Sequence, residues 1–246
     1  MFILRIFLFS LLIGISGGPQ AAEGLRLPQT RIIFNANDKS TTAGIQNLSS
    51  IAYLVKTQIL DDTKEKPIAL FVVTPPLFRL EPQSEFTVRI LSQEMKGLPT
   101  DRESLFYLSF LAIPSTNHPK QNADEGDEAE VTARVSVGVQ TLIKMFYRPT
   151  KLPMTAREAQ SKLVFNTHND RVVMDNPTPY YLTLNTLIIN EKHIDLSISG
   201  AMIDPFSQKT YQIQGNKNQV TYTVINDYGA VSQPYQRTLS VLEKTP

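Results

Sequence analysis

The sequence predicts an all-β protein built as two antiparallel β-sandwiches joined by a short hinge. Three observations carry that expectation. Short runs of alternating apolar and polar residues recur along the chain, while helical periodicity is scarce. Turn-forming pairs separate the runs, and 16 Pro and 11 Gly accompany many Val, Ile, Thr, Tyr and Phe. The segment Arg148-Pro149-Thr150-Lys151-Leu152-Pro153 divides the runs into two series, since proline cannot donate to a sheet ladder. One large barrel is the alternative arrangement. With 246 residues, 41% of them hydrophobic, the chain has the length for two domains of ordinary size.

The elements follow in order. Residues 1–22 read as a secretory signal peptide: Arg5, an apolar run from Ile6 to Ile15, then Gly17, Gly18, Pro19, Gln20, Ala21 and Ala22, with cleavage expected after Ala21 or Ala22. The first domain spans 23–149, with strands expected at Arg31–Asn35, Ala52–Leu60, Phe86–Ser92, Leu105–Ala112 and onward from Val131. Asn37-Asp38, Asp61-Asp62 and Pro75-Pro76 supply turns. The hinge covers 150–156 and the second domain 157–246. Its strands are expected at Leu163–Asn166, Arg171–Met174, Tyr180–Ile189, His193–Ile198, Lys209–Ile213, Gln219–Asn226 and Gln236–Leu242. A connection from Pro114 to Glu130 has no apolar pattern and reads as a solvated loop tip. No segment after the leader is apolar enough to span a bilayer, so the expectation is an exported, soluble chain.

Val131, Ala133, Val135, Val137 and Val139 share one face of the strand that follows this loop, because strand side chains alternate. Arg134, Ser136, Gly138 and Gln140 share the other. A one-sided apolar strand is covered either by its own domain or by another protein. Lys144 follows on the same strand, and Arg31 opens the first one. Each cation, if desolvated, needs a partner. That partner is a carboxylate of its own domain or one brought by a visiting chain. Lys144 and the valines have opposite parity, so they lie on opposite faces unless a bulge intervenes.

Conventional chemistry is sparse. The absence of cysteine rules out thiol catalysis, thiolate metal sites and disulfides. His118, His168 and His193 lack zinc-ligand spacing, and Asp124, Glu125, Asp127, Glu128 and Glu130 lack calcium-loop spacing. There is no Gly-rich phosphate loop and no nucleophile elbow. A net charge of +1 suggests neither nucleic acid nor an anionic membrane as partner. Asn47-Leu48-Ser49 fits a glycosylation acceptor. No enzyme and no cofactor are expected.

Several segments, in order, resemble the periplasmic chaperones of the chaperone–usher pilus pathway. They are Thr74-Pro75-Pro76, Arg79-Leu80-Glu81-Pro82, Leu98-Pro99-Thr100-Asp101-Arg102-Glu103-Ser104-Leu105-Phe106-Tyr107, Ile143-Lys144-Met145-Phe146-Tyr147-Arg148-Pro149, Asn176-Pro177-Thr178-Pro179-Tyr180-Tyr181 and Ile225-Asn226-Asp227-Tyr228-Gly229. The resemblance implies two immunoglobulin-like domains in an L or boomerang. It implies donor-strand complementation, in which an incomplete fibre subunit borrows a strand of the chaperone. By position, Arg31 and Lys144 match the pair that holds the subunit's C-terminal carboxylate. Val135, Val137 and Val139 match the groove-filling residues, with Val131 and Ala133 as an extension. Glu103, Arg148 and Asp227 match the charges that brace the domains. The implied partners are pilus or fibre subunits and an outer-membrane usher; separately, a bare apolar strand is an aggregation hazard, which points to self-capping dimers when no subunit is present. The long connection resembles the long-loop branch of the family, whose usual disulfide is absent here, and Ser109 stands where the signature usually has Asn. A secreted two-domain adhesion or structural module, its valine face simply core, is the alternative; an exported hydrolase would need a nucleophile or metal site that the sequence does not offer.

Overall fold

The computed structural model describes residues 24–62, 64–115, 137–168, 171–213 and 219–241. The first half contains β1 (Leu25–Arg26), β2 (Arg31–Asn35), β3 (Ser40–Asn47), β4 (Tyr53–Leu60), β5 (Phe71–Thr74), β6 (Leu77–Leu80), β7 (Ser84–Ser92), β8 (Ser104–Pro114) and β9 (Val139–Arg148). They form two sheets, ordered β1-β3-β7-β5 and β2-β9-β8-β4-β6. Pairing is antiparallel except between β2 and β9, which run parallel. The sheets close on one core containing Phe34, Ile45, Val55, Val88, Ile90, Leu108, Phe110 and Met145. Alternation places them there: in β4, Val55, Thr57 and Ile59 point inward, while Leu54 and Lys56 face out.

The second half contains β10 (Val164–His168), β11 (Arg171–Asn176), β12 (Leu182–Ile189), β13 (Lys192–His193), β14 (Met202–Ile203), β15 (Ser207–Gln212), β16 (Gln219–Val224), β17 (Tyr235–Thr238) and β18 (Ser240–Val241). Its sheets run β15-β11-β10-β18 and β13-β12-β16-β17, with β14 on β12, around Leu163, Phe165, Val172, Met174, Tyr222 and Val224. Two cores and four sheets set aside the single barrel. Between the halves, α1 (Ala156–Ala159) is started by a capping box, in which Thr155 and Glu158 satisfy each other's backbone N–H groups.

Several expectations change. The strand expected at His193–Ile198 stops after His193, because Asp195 accepts from the backbone N–H and hydroxyl of Ser197 and starts a helical turn, α2 (Leu196–Ser199). Strand β3 carries one large apolar residue, Ile45, and does not stand out, while β5 and β6 are apolar but only four residues each, on either side of Pro75-Pro76. Strand β8 runs on to Pro114, paired opposite Tyr53, so the long connection begins later. Most of that connection, including His118 and the acidic cluster, lies outside the described residues. His168 lies in β10 and His193 in β13, and no group of three or more potential metal ligands occurs among the described residues.

Asn47 is wholly buried, and its amide donates to the carbonyls of Ile51 (2.7 Å) and Glu81 (2.9 Å). Its Oδ1 accepts from the N–H and hydroxyl of Ser49. No glycan fits such an amide. Asn176 repeats the arrangement in the second half: it donates to Tyr180 and Asp204 carbonyls and accepts twice from Thr178.

Candidate functional site

The β8–β9 ladder runs without a break from Ser104↔Tyr147 to Ala112↔Val139. No bulge intervenes, so parity decides the faces. Ile143 and Met145 enter the first core. Lys144 and Phe146 point the other way, into a cleft between the two halves. Buried Leu60, Leu105, Tyr107 and Phe146 line this cleft, with Ile33, Leu142, Tyr181 and Met202 packed against them. The Phe146 and Tyr181 rings meet across it, 5.5 Å between centroids. Burial pushes the Tyr181 hydroxyl up to about 12, with Asp204 and Asp62 adding to the effect.

Arg31 and Lys144 are register partners on the parallel strands β2 and β9, so both stand in this cleft. Arg31 is not wholly free. Its Nη1 donates to the Ile225 carbonyl at 2.9 Å, and its guanidinium lies 5.9 Å from the Phe146 ring centre. Its Nε is buried with no partner. Lys144 makes no hydrogen bond or ion pair among the described residues. Burial lowers its pKa, and the charges of Arg31, Lys64 and Lys209 lower it further. Lys64 lies 5.1 Å from the ring centre of Tyr107, the residue opposite Lys144 on β8. Lys144 is therefore crowded by like charges with its ammonium uncommitted, an arrangement that suits a carboxylate.

The hinge side of the cleft is closed by a second charge group. Arg148 donates from Nε to Glu103 Oε1 at 2.8 Å and from Nη1 and Nη2 to Asp227 at 2.7 and 2.9 Å. Glu103 is 3% exposed, and its other oxygen accepts from the Tyr181 N–H at 2.9 Å. Burial pushes the Glu103 carboxyl up, against the pull of Arg148. Burial alone would lower the Arg148 pKa; the hydrogen bonds and charges of Asp227 and Glu103 outweigh it and raise it. Glu103 and Arg148 belong to the first half, Asp227 and Tyr181 to the second, so the group spans the interface.

The other end of β9 is open. Strand β2 pairs only with Lys144 to Arg148. Over 139–143 the same edge of β9 has no partner among the described residues. Val139 is 52% and Val137 71% exposed. Val131, Ala133 and Val135 lie outside the described residues. Sequence reasoning missed the Ile225 carbonyl, the Tyr181 N–H, Lys64 and Lys209. Backbone groups leave no residue signature, and isolated lysines, Lys64 in the β4–β5 connection and Lys209 in β15, show no spacing that joins them to Lys144.

Comparison with known proteins identifies the architecture. Residues 24–153 match the family described as pili and flagellar-assembly chaperone, PapD N-terminal domain, and residues 158–236 match the pili assembly chaperone PapD, C-terminal domain. The chain belongs to the PapD family of pilus-assembly chaperones. It is 35% identical over 234 residues to the probable fimbrial chaperone protein ElfD of Escherichia coli K12, covering 93% of each chain. It is 32% identical to the chaperone protein FimC of the same strain, over 87% of this chain and 83% of that one. Among solved structures it resembles the E. coli chaperone DraB, with a TM-score of 0.74 and 30% identity, covering 89% of this chain and 97% of that one. It also resembles a chain of the Salmonella enterica SafA pilin–SafB chaperone complex, with the same TM-score and coverage and 27% identity. The immunoglobulin-like two-domain architecture and the role of fimbrial chaperone in the chaperone–usher pathway follow, and the adhesion-module alternative is not favoured. The family is one of chaperones rather than enzymes.

Proposed function

We propose that this chaperone captures a fimbrial subunit by lending it β9, with the subunit's terminal carboxylate held by Arg31 and Lys144. The observation that carries the reading is the open edge of β9 over 139–143, directly in line with the head of β2. A visiting strand on that edge abuts β2 where Arg31 and Lys144 stand. For its C-terminus to meet those cations it must run parallel to β9, as β2 does. Main-chain hydrogen bonds supply affinity, and alternate side chains fix register. Val135, Val137 and Val139, with Val131 and Ala133 as the extension, fill the subunit's apolar groove. Each valine contributes about 1.5–3 kcal/mol before ordering costs. Glu103, Arg148 and Asp227 hold the two domains so that the cleft keeps its shape.

Around this core, residues 1–22 direct export and are removed, leaving domains 23–149 and 157–246 joined by hinge 150–156 in the periplasm. The captured subunit passes to an outer-membrane usher. Without a subunit, two copies cover each other's bare valine faces, since an exposed apolar edge invites pairing. Periplasmic co-expression of a fimbrial subunit with Lys144→Ala or Val137→Asp tests the central claim. Both variants fold as the parent and recover little subunit, Val137→Asp because it places an unpaired charge in an apolar groove. Equal subunit yield from both variants and the parent contradicts the reading.

A further inference from the structure

We infer that Tyr228 is a contact residue for the captured chain, supplied by the second domain; the inference rests on the carboxylate-anchoring reading above. Tyr228 is 96% exposed, the most exposed large apolar side chain of the described residues. Yet the turn that carries it is held tightly. Gly229 N–H donates to the Asn226 carbonyl, and Asn226 Oδ1 accepts from the N–H groups of Tyr228 and Ala230, both at 3.0 Å. The first domain grips the same turn at three points. Arg31 bonds the Ile225 carbonyl, Arg148 clasps Asp227 with two bonds, and Gly229 lies so close to Thr30 that a Cβ there would come within 2.5 Å of its Oγ1.

Nothing in this turn requires an aromatic residue at 228. Its conformational demand falls on Gly229, at φ 81°, and its hydrogen bonding on Asn226. The ring is therefore available. It stands next to the residue that packs on Thr30, one position before Arg31, at the head of β2. That is where the last residues of a parallel visiting strand arrive. An aromatic ring on a backbone already ordered contributes contact area at small entropic cost, and such residues dominate interfaces. The partner is thus the terminal segment of the subunit, which reaches the head of β2 beside the turn that carries Tyr228.

The test uses the full mature chain and a soluble, labelled synthetic peptide of alternating apolar and polar residues ending in a free carboxylate, with its C-terminal amide as comparison. Tyr228→Ala releases the carboxylate peptide about tenfold faster than the parent, and Tyr228→Phe restores the parent rate. Lys144→Ala loses the preference for carboxylate over amide. A 3-fluorotyrosine at position 228 in otherwise native protein shifts its fluorine resonance on peptide addition. If the parent prefers the carboxylate but Tyr228→Ala releases it at the parent rate and the resonance stays put, the Tyr228 assignment alone is overturned. If the parent shows no preference for the carboxylate, the anchoring reading fails and this inference falls with it.

Discussion

Replacing Arg148 by alanine should cost about 3–5 kcal/mol of stability at neutral pH, and most of that cost comes from what is left behind. Glu103 is 3% exposed and keeps only the Tyr181 N–H on Oε2 once the 2.8 Å bond to Oε1 is gone. Asp227 loses two bonds, but its side chain is 33% exposed and water replaces them. The stranded charge is therefore Glu103. Its pKa is already raised by burial, with Arg148 opposing, so removing Arg148 raises it further. A carboxyl raised in the folded state binds more protons folded than unfolded, so unfolding free energy falls as pH rises through the gap between the two pKa values. The deficit of Arg148→Ala is complete above the folded pKa and shrinks towards acid, so it is smaller at pH about 4.5 than at about 7.5. Urea unfolding followed by far-ultraviolet circular dichroism measures it, since the chain has no tryptophan. The apparent m-value should also drop as the two sandwiches begin to unfold separately. The double variant Glu103→Gln/Arg148→Met, which leaves no buried ion in this pair, should cost less than the single. An Arg148→Ala deficit below about 1 kcal/mol at neutral pH, or a double variant as costly as the single, refutes the reasoning.

Asn47→Ala and Asn176→Ala should each destabilise by about 2–4 kcal/mol, because each leaves two carbonyls and an N–H of a buried loop without partners; a loss below about 1 kcal/mol in thermal melts counts against this account. Gly229→Ala should destabilise by about 1–3 kcal/mol through its positive φ and the clash with Thr30, with Thr30→Ala relieving the steric part only; full rescue by Thr30→Ala would show that the backbone strain is negligible. Carboxylate-peptide binding should weaken as pH rises through the lowered pKa of Lys144, below the ordinary lysine value, because the anchored state needs the ammonium. Lys64→Met removes one of the like charges and should move that fall to higher pH; an unmoved titration contradicts the electrostatic account.

The alternation of Val55, Thr57 and Ile59, and of the residues around Phe165 and Val172, made the strands readable because each contrasts a wet face with a dry one. That contrast fails in Ser40–Asn47, where Ala43, Gly44 and Ile45 are all buried yet only one is large. It misleads at His193–Ile198, where the alternation is real but Asp195 offers the backbone a local alternative. At the site, the positions of Lys144, Arg148, Glu103 and Asp227 were legible as residues in motifs. Their arrangement was not: that Arg31 is partly engaged by the Ile225 carbonyl depends on how two sandwiches abut, and that Lys64 crowds Lys144 depends on how the β4–β5 connection lies over Tyr107 of β8. The parity of Lys144 against the valines was readable from the start, and only the unbroken ladder decides between opposite faces and a bulge.

The open edge of β9 originates in the first strand rather than in β9. Residues 25–26 pair with β3 in one sheet, and residues 31–35 pair with β9 in the other. Between them Pro28 packs on Gly44, with its ring carbon 3.1 Å from where a Cβ would stand, and Gln29 bonds back to the Gly44 N–H. This crossing holds the segment over β3 until Thr30, so it cannot run along β9 before Lys144. Had it stayed in the second sheet it would have sealed 139–143, covering the edge that a visitor needs. The same crossing brings Arg31 to the start of β2, level with Lys144 and against the second domain. One change of sheet thus sets both how far β9 stays available and where a chain laid along it must stop.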